Sequence, residues 1–241
     1  MKFLGFGVLL GLSSFASAQT LLHDGFDSYS FSTVDGQGGW FTSSPTSFFV
    51  VPQGGDNPPA TSGTQMLASN GLNTTVGNFI QPAWNARDPF KNMLIAETDL
   101  YVRSDDASGR SLNFGIVSDA GQTLADIGYA CNGDAFFVYS QTEGYGQGPS
   151  GSRNAWHHFM IKLDFDAKTT QYFVDDALIG SGSFHSDEVI NSVKFNSVIG
   201  TAAPDAYWDS VNIKAVPEPA SIFAVGWGGL LLLRRRKRSS G

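Results

Sequence analysis

One cysteine, Cys131, occurs in 241 residues. A lone thiol cannot close an internal disulfide, so no covalent staple is expected, and the natural place for Cys131 is inside a strand as a small hydrophobe. Charge is scarce as well, with Asp, Glu, Lys and Arg making up 15% of the chain. No long stretch between the termini repeats apolar residues every 3.6 positions, and no internal repeat is visible. Both shortages argue against helices, which draw on Ala, Leu, Glu and Lys. The signatures of nucleophilic hydrolysis are missing: there is no Gly-x-Ser-x-Gly elbow, and no cation flanks Cys131 to lower its thiol pKa. A zinc set is missing too. His157 and His158 fall on opposite faces of any strand that contains them, and His23 and His185 are remote in sequence.

What is abundant is glycine (28) and phenylalanine (19), a composition that suits short strands joined by tight turns. Strand-like runs recur at 47–51, 65–68, 92–102, 112–117, 124–131, 135–139, 156–165, 169–174, 193–199 and 206–213, with turn signals between them. Around 156–165, Ile161, Leu163 and Phe165 share one face while Met160, Lys162, Asp164 and Asp166 share the other. Such alternation gives a strand one wet and one buried side, so the predicted fold is all-β, with two antiparallel sheets packed as a sandwich. Loops rich in Gly, Ser, Pro and Asn at 52–63 and 143–154 are long enough to build a binding site.

The two ends read as addresses. Lys2, the apolar stretch Phe3 to Leu12 and the small residues Ala16-Ser17-Ala18 make a secretory signal peptide over 1–18, with Gln19 as the expected mature N-terminus. At the other end, Val216-Pro217-Glu218-Pro219 precedes a twelve-residue apolar run, Ile222 to Leu233, and then Arg234-Arg235-Arg236-Lys237-Arg238. As a short hydrophobic helix, that run would reach about 18 Å against a hydrocarbon core of roughly 30 Å, so it is a marginal membrane segment. The basic cluster would hold its far end on the cytoplasmic side. Together, 216–241 resemble the PEP-CTERM sorting tail of Gram-negative bacteria. The resemblance implies recognition of Val216, Pro217, Glu218 and Pro219 by a membrane-embedded exosortase-type protease, transient or tail-mediated membrane association, and delivery to the cell surface or outside the cell.

Between these segments lies one domain's worth of chain, residues 19–215. Of the 15 Lys and Arg, six (Lys2, Arg234, Arg235, Arg236, Lys237, Arg238) sit in the terminal segments, and of the 22 Asp and Glu only Glu218 does, so the domain carries about −12. Such a surface repels nucleic acid and anionic lipid and can collect divalent cations. Two passages carry a further resemblance. Trp156-His157-His158-Phe159, then Ile161 to Phe165, then Thr170 to Asp176, look like the paired strands of concanavalin A-like and laminin-G-like jelly rolls. Asp24 to Tyr29 and Tyr207 to Ile213 look like the adjoining first and last strands of such a domain. Where family hairpins place Asp-Gly, this chain has Asp175-Asp176.

Glucan hydrolases on that fold carry Glu-x-Asp-x-x-Glu, because retaining hydrolysis needs two carboxyls about 5 Å apart. The nearest match starts at Glu97 and Asp99 and ends in Val102, so the general acid is missing. Catalytic residues by that mechanism are therefore not expected. Domains of this shape often clip their paired ends with calcium, and Asp24, Asp27 and Asp209 would meet if the first and last strands pair. Trp40, Phe41, Trp84, Tyr129, Tyr139 and Tyr145 are candidate sugar platforms, since sugars present apolar faces to exposed rings. Tyr145 stands out because its glycine neighbours leave the ring unshielded. Three readings stay open at this stage: a non-catalytic polysaccharide-binding protein, an extracellular polysaccharide hydrolase or lyase, and a passive structural or adhesive matrix protein.

Overall fold

The computed structural model describes residues 17–44, 47–69, 74–84, 92–103, 111–185, 189–198 and 206–216. Most of the predicted signal peptide, together with Pro217, Glu218, Pro219, the apolar run and the basic cluster, lies outside the described residues. The strands, in chain order, are β1 (Gln19–Asp24), β2 (Trp40–Thr42), β3 (Phe48–Pro52), β4 (Gln65–Ser69), β5 (Thr74–Trp84), β6 (Met93–Val102) and β7 (Ser111–Ser118). There follow β8 (Thr123–Ala130), β9 (Ala135–Ser140), β10 (Gly144–Ser150), β11 (Trp156–Asp164), β12 (Thr169–Val174), β13 (Ala177–Ser183), β14 (Ile190–Val198) and β15 (Ala206–Val216).

These form two antiparallel sheets. One has seven strands in the order β10-β9-β8-β7-β14-β5-β2; the other has eight, in the order β13-β12-β11-β6-β15-β4-β3 with β1 added to β15. The predicted alternation is what lets them pack. Along β6 and β11 every second side chain is buried, and Leu94, Ala96, Leu100, Phe159, Ile161 and Leu163 face the interior. From the other sheet Leu112, Phe114, Ile116, Ile127 and Phe195 meet them. Aromatic rings lock the layers together: Phe195 lies 4.6 Å from Trp208, 5.4 Å from Phe114 and 5.6 Å from Trp40, centroid to centroid. Cys131 is buried in this core, though in the turn just past the end of β8 and not inside a strand.

The first and last strands pair, as the jelly-roll resemblance implied, although of the residues quoted for the first strand only Asp24 takes part. β1 stops at Asp24, and residues 25–29 turn away instead of continuing the strand. β15 serves two partners along one edge: Ala206 to Trp208 pair with β4, and Val211 to Ala215 pair with β1. Between them its register shifts at Asp209, and Ser210 takes a positive φ of 54°. That bulge opens a gap at the sheet edge, which the 61–64 loop fills. The hairpin between β12 and β13 turns on Asp175 and Asp176, both at positive φ (50° and 65°), the geometry a two-residue turn of twisted strands requires. Left-handed aspartate is strained, and the Asp175 carboxylate offsets part of that by accepting from the His158 N–H at 2.9 Å.

Candidate functional site

The outer face of the seven-stranded sheet is a groove of about 770 Å³. Its lining comes from residues on the wet side of five strands and one turn. Asn113 is on β7, Asp126 on β8, Phe137 and Tyr139 on β9, Tyr145 on β10 and Lys194 on β14. Those on β7, β8, β9 and β14 alternate with buried neighbours, so the period-2 pattern that builds the core also aims them outward, whereas Tyr145 on β10 stands between glycines that are not buried.

At one end the rings gather. Tyr145 is 75% exposed, and its ring packs 4.9 Å from Tyr139 and 6.1 Å from Phe137. The glycines on either side of it leave nothing to cover it, as the sequence suggested. In the middle sits Asp126, only 4% exposed. Its Oδ2 accepts from Asn113 Nδ2 at 2.9 Å and lies 3.9 Å from Lys194 Nζ, which itself donates to Thr123 Oγ1 at 2.6 Å. Its Oδ1 is buried without a hydrogen-bond partner. Such an orphaned oxygen is costly, and proteins retain one chiefly where something else supplies the donor. Burial pushes the Asp126 carboxyl up to about 7, against the pull of Lys194 and Asn113. Burial, then the nearby Asp126 charge and Tyr139, push the Tyr145 hydroxyl up. Directly beneath the carboxylate, a Cβ on Gly115 would come within 1.6 Å of Asp126 Oδ1, so only glycine leaves room for this arrangement.

Nothing in the sequence singled out Asp126 or Lys194. They are remote along the chain and meet only because β7 lies between β8 and β14, with Gly115 opposite both. Of the other candidate platforms, Trp40 and Tyr129 are core residues, while Tyr139 lines the groove and Phe41 is exposed elsewhere on the same sheet.

The three aspartates expected to hold calcium are instead engaged by turn and loop donors. Asp24 accepts from Phe26 N at 2.8 Å, from Trp40 Nε1 at 2.7 Å and from the Tyr29 hydroxyl. Asp27 Oδ1 accepts from Thr64 N at 2.6 Å and Gln65 N at 3.1 Å. Asp209, fully buried, accepts from Thr61 N and Ser62 N at 2.8 Å, Thr61 Oγ1 at 3.1 Å, Ser62 Oγ at 3.0 Å and Ser210 N at 2.7 Å. Burial pushes the Asp209 carboxyl up while these donors pull it back. A calcium ion needs several oxygens turned toward one point, with their lone pairs unspent. Here Asp24, Asp209 and Asp27 Oδ1 already accept from N–H and O–H groups, and among the described residues no three acidic, histidine or cysteine side chains are placed to hold a metal. The set does not fit calcium.

Glu97 and Asp99, the start of the incomplete hydrolase motif, lie on the outer face of the other sheet. Each is tied to a base: Glu97 to Lys214 at 3.4 Å, Asp99 to His158 at 2.8 Å. The hydrogen bond from His158 to Asp99 raises the histidine's pKa, against a loss of hydration. A Ser152–His157–Asp175 constellation, invisible in the sequence, also assembles. Ser152 Oγ is 3.1 Å from His157 Nε2, and His157 Nδ1 is 2.8 Å from Asp175 Oδ2. A base for a nucleophile must keep a lone pair toward the hydroxyl. His157 Nε2 is shared, lying 2.8 Å from the backbone carbonyl of Ser152 and thus closer to that acceptor than to the hydroxyl. The histidine thus ties the loop after β10 to the β12–β13 turn.

Taken together, fold and topology define a jelly-roll β-sandwich with a ring-lined groove on one sheet. No family model and no curated protein sequence matches the chain. Solved structures match it in shape. A sialidase superposes with a TM-score of 0.54 at 15% identity over 83% of this chain and 18% of its own. The globular domain of T. cruzi calreticulin gives 0.54 at 10% identity over 92% and 100%. A carbohydrate esterase of the Shiga toxin-encoding bacteriophage phi24B gives 0.54 at 13% identity over 83% and 99%. The chain thus spans under a fifth of the sialidase, and at these identities the likeness is one of fold.

Proposed function

We propose that this is an exported, non-catalytic protein that binds polysaccharide in the groove over Tyr139, Tyr145 and Asp126. The observation that carries the reading is an exposed tyrosine, a second ring and the Asp126 carboxylate lining one cavity. A sugar ring offers an apolar face to the tyrosine and hydroxyl donors to the carboxylate, so one ligand satisfies both. Most glycosidases use a pair of carboxyls, and among the described residues lining the groove Asp126 is the one acid. Two proteins of similar shape, the sialidase and the carbohydrate esterase, are named for carbohydrate chemistry, which agrees with a sugar ligand here.

Delivery rests on the termini. Residues 1–18 direct export, and Val216-Pro217-Glu218-Pro219 with the apolar run and Arg234 to Arg238 present the chain to an exosortase-type protease that removes the tail at the membrane. Strand β15 runs through Val216, so the recognition motif follows the folded sheet with no spacer. Mass spectrometry of protein recovered from producing cells is expected to show Gln19 at the N-terminus and no Arg234 to Arg238. An intact basic tail on surface material would end the sorting account.

Binding is tested separately. Tyr145→Ala removes a largely exposed ring, leaves folding unchanged by circular dichroism, and is expected to weaken glycan binding on an array at least about tenfold, equivalent to about 1.4 kcal/mol. Equal binding by the variant would remove the groove from the account.

A further inference from the structure

The groove is one part of a longer line. Strand register sets Tyr145 opposite Tyr139, Tyr139 opposite Asp126, Asp126 opposite Gly115, Gly115 opposite Lys194, Lys194 opposite Gly77, and Gly77 opposite Phe41. Directly opposed residues share a face, so all seven lie on the outer side of the sheet. Neighbouring strands are about 4.8 Å apart, and six steps make a track of roughly 29 Å running across the strands. Phe41, at its far end, is 40% exposed, and its ring lies over Gly77, where a Cβ would come within 2.8 Å of Phe41 Cζ. A second line, two residues along, runs beside it. There Gln147 is opposite Phe137, Phe137 opposite Gly128, Gly128 opposite Asn113, Asn113 opposite Asn196, and Asn196 opposite Thr75. The track therefore has rings at both ends, the Asp126–Lys194 pair at its centre, and an amide-rich flank.

Taking the groove as a glycan site, we infer that its ligand is an extended neutral polysaccharide chain laid across the strands, and that Phe41 is a second ring platform at the opposite end from Tyr145. A single sugar or a chain terminus occupies one end and leaves the other without a role. An unbranched chain reaches both. Neutrality follows from charge. The ionised Asp126 oxygen at the centre requires a donor such as a hydroxyl, the surrounding domain is strongly acidic, and Lys194 is already engaged by Thr123 and Asp126. A polyuronate would set its carboxylates against the first two, and among the described lining residues the one cation, Lys194, is already engaged.

The test is calorimetric titration of the purified protein at pH 8 with neutral gluco-, manno- and xylo-oligosaccharides from disaccharide to octasaccharide, and with oligogalacturonates of the same lengths. Affinity for at least one neutral series is expected to rise about tenfold or more with length. Phe41→Ala should abolish that rise while leaving disaccharide binding as in the parent, and Phe41→Trp should keep it. Affinity that is flat beyond the disaccharide, an unchanged octasaccharide affinity in Phe41→Ala, or tighter binding of oligogalacturonate would each overturn the inference while leaving a smaller groove site intact. If no glycan binds in a Tyr145-dependent way, the groove reading itself falls and takes this inference with it.

Discussion

Asp209→Ala is expected to melt roughly 10 °C below the parent protein. The side chain is fully buried and accepts five hydrogen bonds, four of them from Thr61 and Ser62. Truncation leaves two backbone N–H groups and two hydroxyls of that loop without their acceptor at a sheet edge. Each unsatisfied buried donor costs about 1–3 kcal/mol, partly recovered where water enters, so a net loss of about 3–5 kcal/mol is reasonable. For a domain of this size one kcal/mol corresponds to about 2–4 °C. The damage also spreads. The neighbouring stretch covers a small second core of Met66, Ala68 and Tyr207 with Tyr101 and Trp156, and Trp156 Nε1 donates to Pro59 O at 2.8 Å. Differential scanning calorimetry reads the effect directly, and a variant melting within a degree or two of the parent would refute the clamp. The same scan with a chelator separates the clamp from a metal site: chelation should leave the parent's transition where it was.

Asp126→Asn should move stability and binding in opposite directions. The native carboxyl holds its proton up to about pH 7, whereas the unfolded one releases it near its ordinary 3.8. Between about pH 4 and pH 7 the folded state therefore binds more protons than the unfolded chain, and stability falls as pH rises through that window, then levels off. A difference of this size is on the order of 4 kcal/mol, held against folding above pH 7. Asparagine matches the neutral acid in shape and carries no charge to bury. The variant is thus expected to equal the parent at pH 4 and exceed it by about 2–4 kcal/mol at pH 8 in urea unfolding. Glycan affinity at pH 8 should drop about tenfold, because a charge-assisted acceptor is replaced by a neutral amide. A parent protein with no decline in stability from pH 4 to pH 7 would show that Asp126 is not the buried acid described here. A binding site that costs stability is the pattern expected of function.

The strands with strong alternation, such as Thr169–Val174 and Trp156–Asp164, were legible in the sequence almost to the residue. Those it hid have identifiable reasons. β10 reads GYGQGPS and β13 ALIGSGS, so glycine masks the pattern; β5 contains Pro82, and β2 is three residues long. These elements form sheet edges or next-to-edge positions, where neighbours supply the order that local preference does not. In the groove, Tyr145 was readable because exposure beside glycines is a local property. Asp126 was not, since nothing around it along the chain marks it as buried.

By itself, then, the sequence determined the all-β class, the inward and outward faces of its strongest strands and the exposure of Tyr145, because a two-residue period and flanking glycines act over a few bonds. Only the tertiary structure decided that Asp126 meets Lys194 across Gly115, and that Asp24, Asp27 and Asp209 spend their oxygens on turn and loop donors and the Trp40 indole. Which strand lies beside which, and which N–H arrives at a carboxylate, is set by pairing between segments distant along the chain. Identical aspartates become a clamp or a ligand acceptor according to the donors that this pairing brings.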